Sequence, residues 1–289
     1  ELTLGRYGRS NMVSTLDSIA SGWLQKRLGQ LTGFIGVLTA TMILCFYSII
    51  AGWMIAHTLA SIAQTLQLFE IAEWLVTFSL FRNISFSTAF IGLTLLVISA
   101  GVERGIETWS KRLMPCLILL MLGLIVYVLL QPGAERGLKM FIVPDFRQLA
   151  DPQLIVSALG QAFFSLSLGV GTMLIYGSYI RSNEDLPVAG ALVTFSDTGV
   201  AVLAGMLIIP ALFAAQQLGV DIYAEPGTLI SGPSLIFQAL PALFEEMGEG
   251  GKLVALAFFT LMSIAALTSS ISMLEVPVSW AIETQNVTR

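Results

Sequence analysis

Charge and histidine are what this sequence has least of. Only 11% of its 289 residues are charged, where soluble globular domains carry about 25%, and the one histidine is His57. A single histidine excludes a multi-histidine metal centre of the His-Glu-x-x-His kind and leaves the serines without a neighbouring base for nucleophilic catalysis. No Gly-x-x-x-x-Gly-Lys-Ser/Thr stretch occurs, so nothing points to ATP hydrolysis. Cysteine is nearly as scarce: Cys45 and Cys116 lie inside apolar runs, where they read as small core residues rather than a disulfide framework. An enzyme is not expected, and with a net charge of −5 neither is a nucleic-acid partner.

Apolar residues are what it has in excess, at 55% with a mean hydropathy of +0.82. A membrane-crossing helix takes about 20 mostly apolar residues. On that measure the sequence predicts an all-α, polytopic membrane protein, one membrane domain over 1–289, with spans at 31–63, 84–101, 113–131, 154–180, 188–216 and 251–282. The connector 217–250 contains an apolar piece, Ser234 to Phe244, too short to cross, and is expected to form a hairpin lid over the outer face. Arg6, Arg9, Lys26, Arg27, Arg104, Lys111, Arg112 and Arg181 fall on alternate connectors, whereas the opposite ones hold most acids. The positive-inside rule then puts the chain's start and end in the cytoplasm. Trp53, Trp74, Trp109 and Tyr179 fall near predicted boundaries and read as interfacial anchors. The chain opens on Glu1 rather than on a methionine with a basic segment, so a truncated start is expected.

Chemistry has few places to sit. Gln161 to Thr172, reading QAFFSLSLGVGT, sets hydroxyls and a Gly-x-Gly in mid-span. Its glycines favour a broken helix over 161–175, whose exposed half-helix ends hold ions, and equally allow close packing through small residues. Thr268, Ser269 and Ser270 supply hard oxygens for a small cation, or return hydrogen bonds to their own helix. Asp197 is a carboxylate in an apolar helix, where a bare charge costs about 2.5–3.5 kcal/mol at mid-membrane; the alternative is a helix start that reaches water. Glu275 raises the same question in a poorer neighbourhood and ranks below it. Gly105 and Pro115 bracket a span's entry, as a local opening or an ordinary boundary.

Several stretches together resemble the neurotransmitter:sodium symporter family: Gly5-Arg6-Tyr7-Gly8-Arg9, the run from Tyr47 to Trp53, Pro144-Asp145-Phe146, Phe163 to Tyr179, and Leu267-Thr268-Ser269-Ser270. The order and spacing match from the end of that family's second helix through its eighth, so a fragment is expected. The resemblance implies part of the LeuT-type fold of two inverted repeats. It implies two sodium sites, both shared with the family's first helix. Ser165 and Asp197 would serve one, with Ser196 the alternative to Asp197; the Ala265 carbonyl, Thr268 and Ser269 would serve the other. Tyr47 would bind a substrate carboxylate and Phe164 would cover it, with Ile43, Ser167, Val170, Ser269 and Met273 lining the pocket. Gly105, Pro115, Tyr179 and Glu283 would belong to the inner gate. The expected activity is sodium-coupled symport of a small, hydrophobic or aromatic L-amino acid across a bacterial inner membrane. The alternatives are another small solute on the same fold, or a relative that binds without transporting.

Overall fold

The computed structural model describes residues 1–101, 106–225 and 228–285. In chain order its helices are α1 (Leu2–Gly8), α2 (Met12–Ile19), α3 (Trp23–Thr65), α4 (Phe69–Val76), α5 (Leu80–Ser99), α6 (Thr108–Leu129) and α7 (Ala134–Ile142). There follow α8 (Pro152–Ser165), α9 (Thr172–Tyr179) and α10 (Leu186–Gln217). A two-stranded antiparallel ribbon, β1 (Tyr223–Glu225) and β2 (Thr228–Leu229), leads into α11 (Gly232–Ser234), a π-helical turn over Leu235–Ala239, α12 (Leu240–Glu246) and α13 (Glu249–Gln285).

The helix starts are written locally. The Asn11 side chain accepts from the Val13 and Ser14 amides, Asp151 from Gln153, and Asp185 from Val188, each satisfying first-turn donors that a helix cannot pair itself. Prolines at positions 152 and 187 follow the two aspartates in the first turn, where a missing N–H costs nothing. Five helices, α3, α5, α6, α10 and α13, are long and apolar enough to cross a membrane. Several outrun the apolar stretches that predict them. α3 begins at Trp23 rather than near residue 31, because polar residues at membrane depth's edge keep their helical hydrogen bonds into the headgroup layer.

α13 is the element around which the others assemble, lying along α3 and touching α5, α6 and α9. Greasy contact cannot discriminate partners in lipid, and here hydroxyls mark them. Ser263 meets Thr58 of α3 at 3.1 Å, buried Ser270 meets Thr94 of α5 at 3.0 Å, and Ser272 meets Tyr176 of α9 at 2.8 Å. Where a hairpin lid is expected over 217–250, the ribbon is followed by one continuous helical run over 232–246. Beside it Phe258 and Phe259 of α13 join Leu240, Leu243 and Phe244 of α12 and Leu124 and Val128 of α6 in the largest buried cluster.

Two readings of the sequence are corrected. Cys45 and Cys116 are exposed rather than packed in a core. An apolar run in such a chain has lipid as a second apolar environment, so hydropathy does not say which side of a helix faces protein. Trp53 is also no free interfacial anchor: its indole N–H donates to Asn83 Oδ1 at 3.0 Å and its ring meets Phe237 of the π-helical turn edge-on.

Candidate functional site

The helix that starts at Pro152 stops at Ser165 and resumes at Thr172. Between them φ is positive at Ser167 (52°), Gly169 (86°) and Gly171 (88°). Glycine enters that region without penalty, whereas a serine there costs about 1–2 kcal/mol, so the segment is held in its shape by its surroundings. One holder is Glu1, whose Oε1 accepts from the Gly169 amide at 2.5 Å. The glycines thus serve a break, within which the Leu166, Ser167 and Leu168 amides turn back to donate to the Ala162, Phe164 and Phe163 carbonyls of α8.

Ser165, at the edge of the break, donates its hydroxyl to Asp197 Oδ1 at 2.6 Å. Asp197 is half-buried and stands eleven residues inside α10, about 16 Å from its start, so the alternative of a helix end open to water is not what the fold provides. Ser196 next to it is exposed. The pair sets two hard oxygens side by side at the edge of the break, the ligand type that hard cations take.

On α13 the three adjacent hydroxyls divide. Ser270 is consumed structurally by Thr94 and by the Leu267 carbonyl. Thr268 donates to the Ala265 carbonyl at 2.9 Å, which brings together two of the expected ligands through the backbone bond that was their bland alternative. Ser269 is exposed and its hydroxyl interacts with that of Tyr47 on α3. Ile43, Ser167, Val170 and Met273 are half-buried, and Phe164 is 64% exposed on the last turn of α8, which buries none of its residues.

The residues expected at an inner gate part company. Tyr179 donates to Glu275, an acid only 1% exposed, while Glu283 accepts from Asn11: from its backbone N–H at 2.9 and 3.0 Å and from its amide Nδ2 at 2.6 Å. Glu283 therefore ties α2 to the end of α13. Pro115 lies inside α6 rather than at a boundary and deprives the Lys111 carbonyl of its helical donor; Gly105 lies outside the described residues. Sequence reading underrated Glu275 and overlooked Glu1 and Tyr176. The Tyr-x-x-Tyr spacing, which sets Tyr176 and Tyr179 on one helix face, was the signal available. The Gly5-Arg6-Tyr7-Gly8-Arg9 motif packs α1 on α9, with Arg6 donating to the Glu184 carbonyl at 2.6 Å and Arg9 to Ser182 at 2.9 Å.

Thr172, the first residue of α9, is fully enclosed and its hydroxyl has no partner among the described residues. An unpaired buried hydroxyl costs about 1–3 kcal/mol. Thr172→Val keeps the shape and removes the orphan, so it is expected to raise the detergent melting temperature of the protein; a fall would mean that a partner outside the described residues holds the hydroxyl.

Against known proteins, residues 79–288 match the model of the sodium:neurotransmitter symporter family. The chain belongs to that family. It is 35% identical over 283 residues to an uncharacterised sodium-dependent transporter of Bacillus subtilis, covering 94% of this chain and 59% of that protein. A bovine sodium- and chloride-dependent creatine transporter is 34% identical over 169 residues, 56% of this chain and 26% of that protein. The crystal structure of MhsT in complex with L-phenylalanine superposes with a TM-score of 0.79 at 32% identity, over 99% of this chain and 63% of that one. The chain thus spans about three fifths of the length of the Bacillus transporter and of MhsT. As a symporter-family chain it has the fold of sodium-dependent transporters and belongs among transporters rather than enzymes.

Proposed function

We propose that the intact protein carries a hydrophobic or aromatic L-amino acid into a bacterial cell together with sodium, by alternating access through the broken helix. The observation that carries the reading is the Ser165–Asp197 hydrogen bond, which sets a carboxylate from mid-α10 against the break. On this reading Ser165 and Asp197 bind one sodium ion, and the Ala265 carbonyl with Thr268 and Ser269 binds a second. The Tyr47 hydroxyl, beside Ser269, takes the substrate carboxylate. Phe164 covers the substrate from outside while Ile43, Ser167, Val170 and Met273 face its side chain. Valine at position 170 leaves room for a large side chain, and a phenylalanine complex of a relative at 32% identity favours the same class. Asp197 also supplies a negative charge beside the first ion, so transport runs without chloride.

A panel of labelled amino acids, bound to the complete protein in sodium and then in potassium, tests this. Binding is expected in sodium alone, with phenylalanine and leucine ahead of alanine and glycine, and unchanged when gluconate replaces chloride. Equal binding in both cations, or alanine ahead of leucine, would sink it.

A further inference from the structure

The space assigned to the substrate side chain has a floor to which an element outside the central site contributes. Ile43 of α3 and Met273 of α13 each have a buried neighbour three residues away on the same helix face: Ala40, 1% exposed, and Val276, fully enclosed. Val170, the third wall, is followed by Gly171. Ala40 and Val276 belong with Val37, Leu174, Ile175 and Met12 to one buried cluster, and Val170 packs against it. Three residues, about 4.5 Å of helix, thus separate the walls on α3 and α13 from this cluster.

Helix α2 contributes Met12, its first residue, and glycines make the room for it. A methyl group on Gly36 of α3 would lie 2.6 Å from the Met12 sulphur and 2.8 Å from its terminal methyl, and one on Gly171 would lie 2.6 Å from the same sulphur. The thioether therefore lies across both glycines and fills what their missing side chains leave between α3 and the start of α9. Its backbone is fixed: Asn11, the residue before it, caps α2 and is held by Glu283 at both its backbone N–H and its side-chain amide. The side chain can still adapt, because methionine is unbranched and moulds to irregular gaps. Leu16, one turn on in α2, packs instead where Gly29 stands, seven residues or about 10 Å along α3 from Gly36 and away from the walls.

We propose that Met12 is a specificity-determining residue, the floor that sets how long a side chain the central site accepts; this rests on the reading of Ile43, Val170 and Met273 as the walls. A longer side chain reaches past Val170 and meets the thioether, whereas a shortened residue at position 12 opens apolar space directly beneath it.

Phenylalanine and homophenylalanine, one methylene longer, are the probes, bound to the complete protein in sodium. The wild type is expected to favour phenylalanine by about tenfold or more, the low end of what a methylene is worth in an apolar pocket. Met12→Ala should erase that preference or reverse it. Met12→Val, a milder cut in case alanine unfolds the protein, should move the ratio in the same direction and by less, and Met12→Leu, which nearly keeps the volume, should retain the wild-type order. Leu16→Ala is the control for a loosened α2: it lowers the melting temperature and leaves the ratio alone. A ratio unchanged in Met12→Ala and Met12→Val overturns the proposal, as does one that shifts as far in Leu16→Ala or Met12→Leu. A wild type that binds neither amino acid in sodium would sink the central-site reading and the floor with it, whereas binding with an unmoved ratio strikes the floor alone.

Discussion

Asp197→Ala is expected to abolish sodium-dependent amino-acid binding while the protein still folds. The carboxylate is half-buried, about 16 Å into α10, and its recorded partner is the Ser165 hydroxyl. A hydroxyl cannot neutralise a charge whose exposure to the bilayer centre costs about 2.5–3.5 kcal/mol; a bound cation can. Removing the acid removes that cost along with the ligand, so the melting temperature in potassium should hold or rise. In sodium the loss of a charged partner, about 1.5–3 kcal/mol, predicts apparent sodium affinity weaker by roughly 10- to 150-fold. Asp197→Asn separates the two contributions: it keeps an oxygen ligand and loses the charge, so sodium binding should be weakened less and should become responsive to chloride. Wild-type sodium affinity in Asp197→Ala would show that the ion binds elsewhere.

Gly5→Ala is expected to do comparable damage from a residue that touches no ligand. A methyl group there would lie 1.8 Å from the Leu174 carbonyl oxygen and 2.9 Å from the Ser178 nitrogen. Both are backbone atoms of α9, which cannot rotate aside as a side chain does, so α1 and α9 must separate. Overpacking of this kind costs about 1–3 kcal/mol and here displaces the half-helix that begins at the break. Thermal unfolding in detergent should shift downward and sodium-dependent binding should fall with it. Gly160→Ala is the control: nothing stands within 4 Å of the added methyl, and alanine favours the helix by up to about 1 kcal/mol. Equal melting temperatures for the two variants would show that the α1–α9 contact does not exist in the native protein.

What the sequence disclosed follows from which forces act locally. The long helices announce themselves because a span must be apolar along its whole length, whereas the break showed only as Gly169 and Gly171 beside the hydroxyls of Ser165 and Ser167, a pattern that equally allowed close packing. The caps at Asn11, Asp151 and Asp185 are equally local. Contacts that close over long separations leave no such trace: Asn11 with Glu283 spans 272 residues, and Gly169 with Glu1 spans 168. Glu275 was undervalued because its worth depends on Tyr179, 96 residues away. The cysteines and Trp53 failed for a different reason, since hydropathy measures depth in the bilayer and not which neighbour a face meets. The ribbon before α11 is too short, at three and two residues, for strand periodicity to register.

Tyr176 with Ser272 and Tyr179 with Glu275 are joined at the same offset, 96 residues, so α9 and α13 run alongside each other in a shared register. A slide of α9 by one residue forfeits both hydrogen bonds at once and sets Tyr176 against Ile271 and Tyr179 against Leu274, which offer no side-chain partner. Three residues back, about 4.5 Å, Tyr176 would instead meet Ser269 and Tyr179 would meet Ser272, so a second set of polar partners is already cut into α13. The seam between these helices is notched like a ratchet, with polar partners for both tyrosines repeating every three residues.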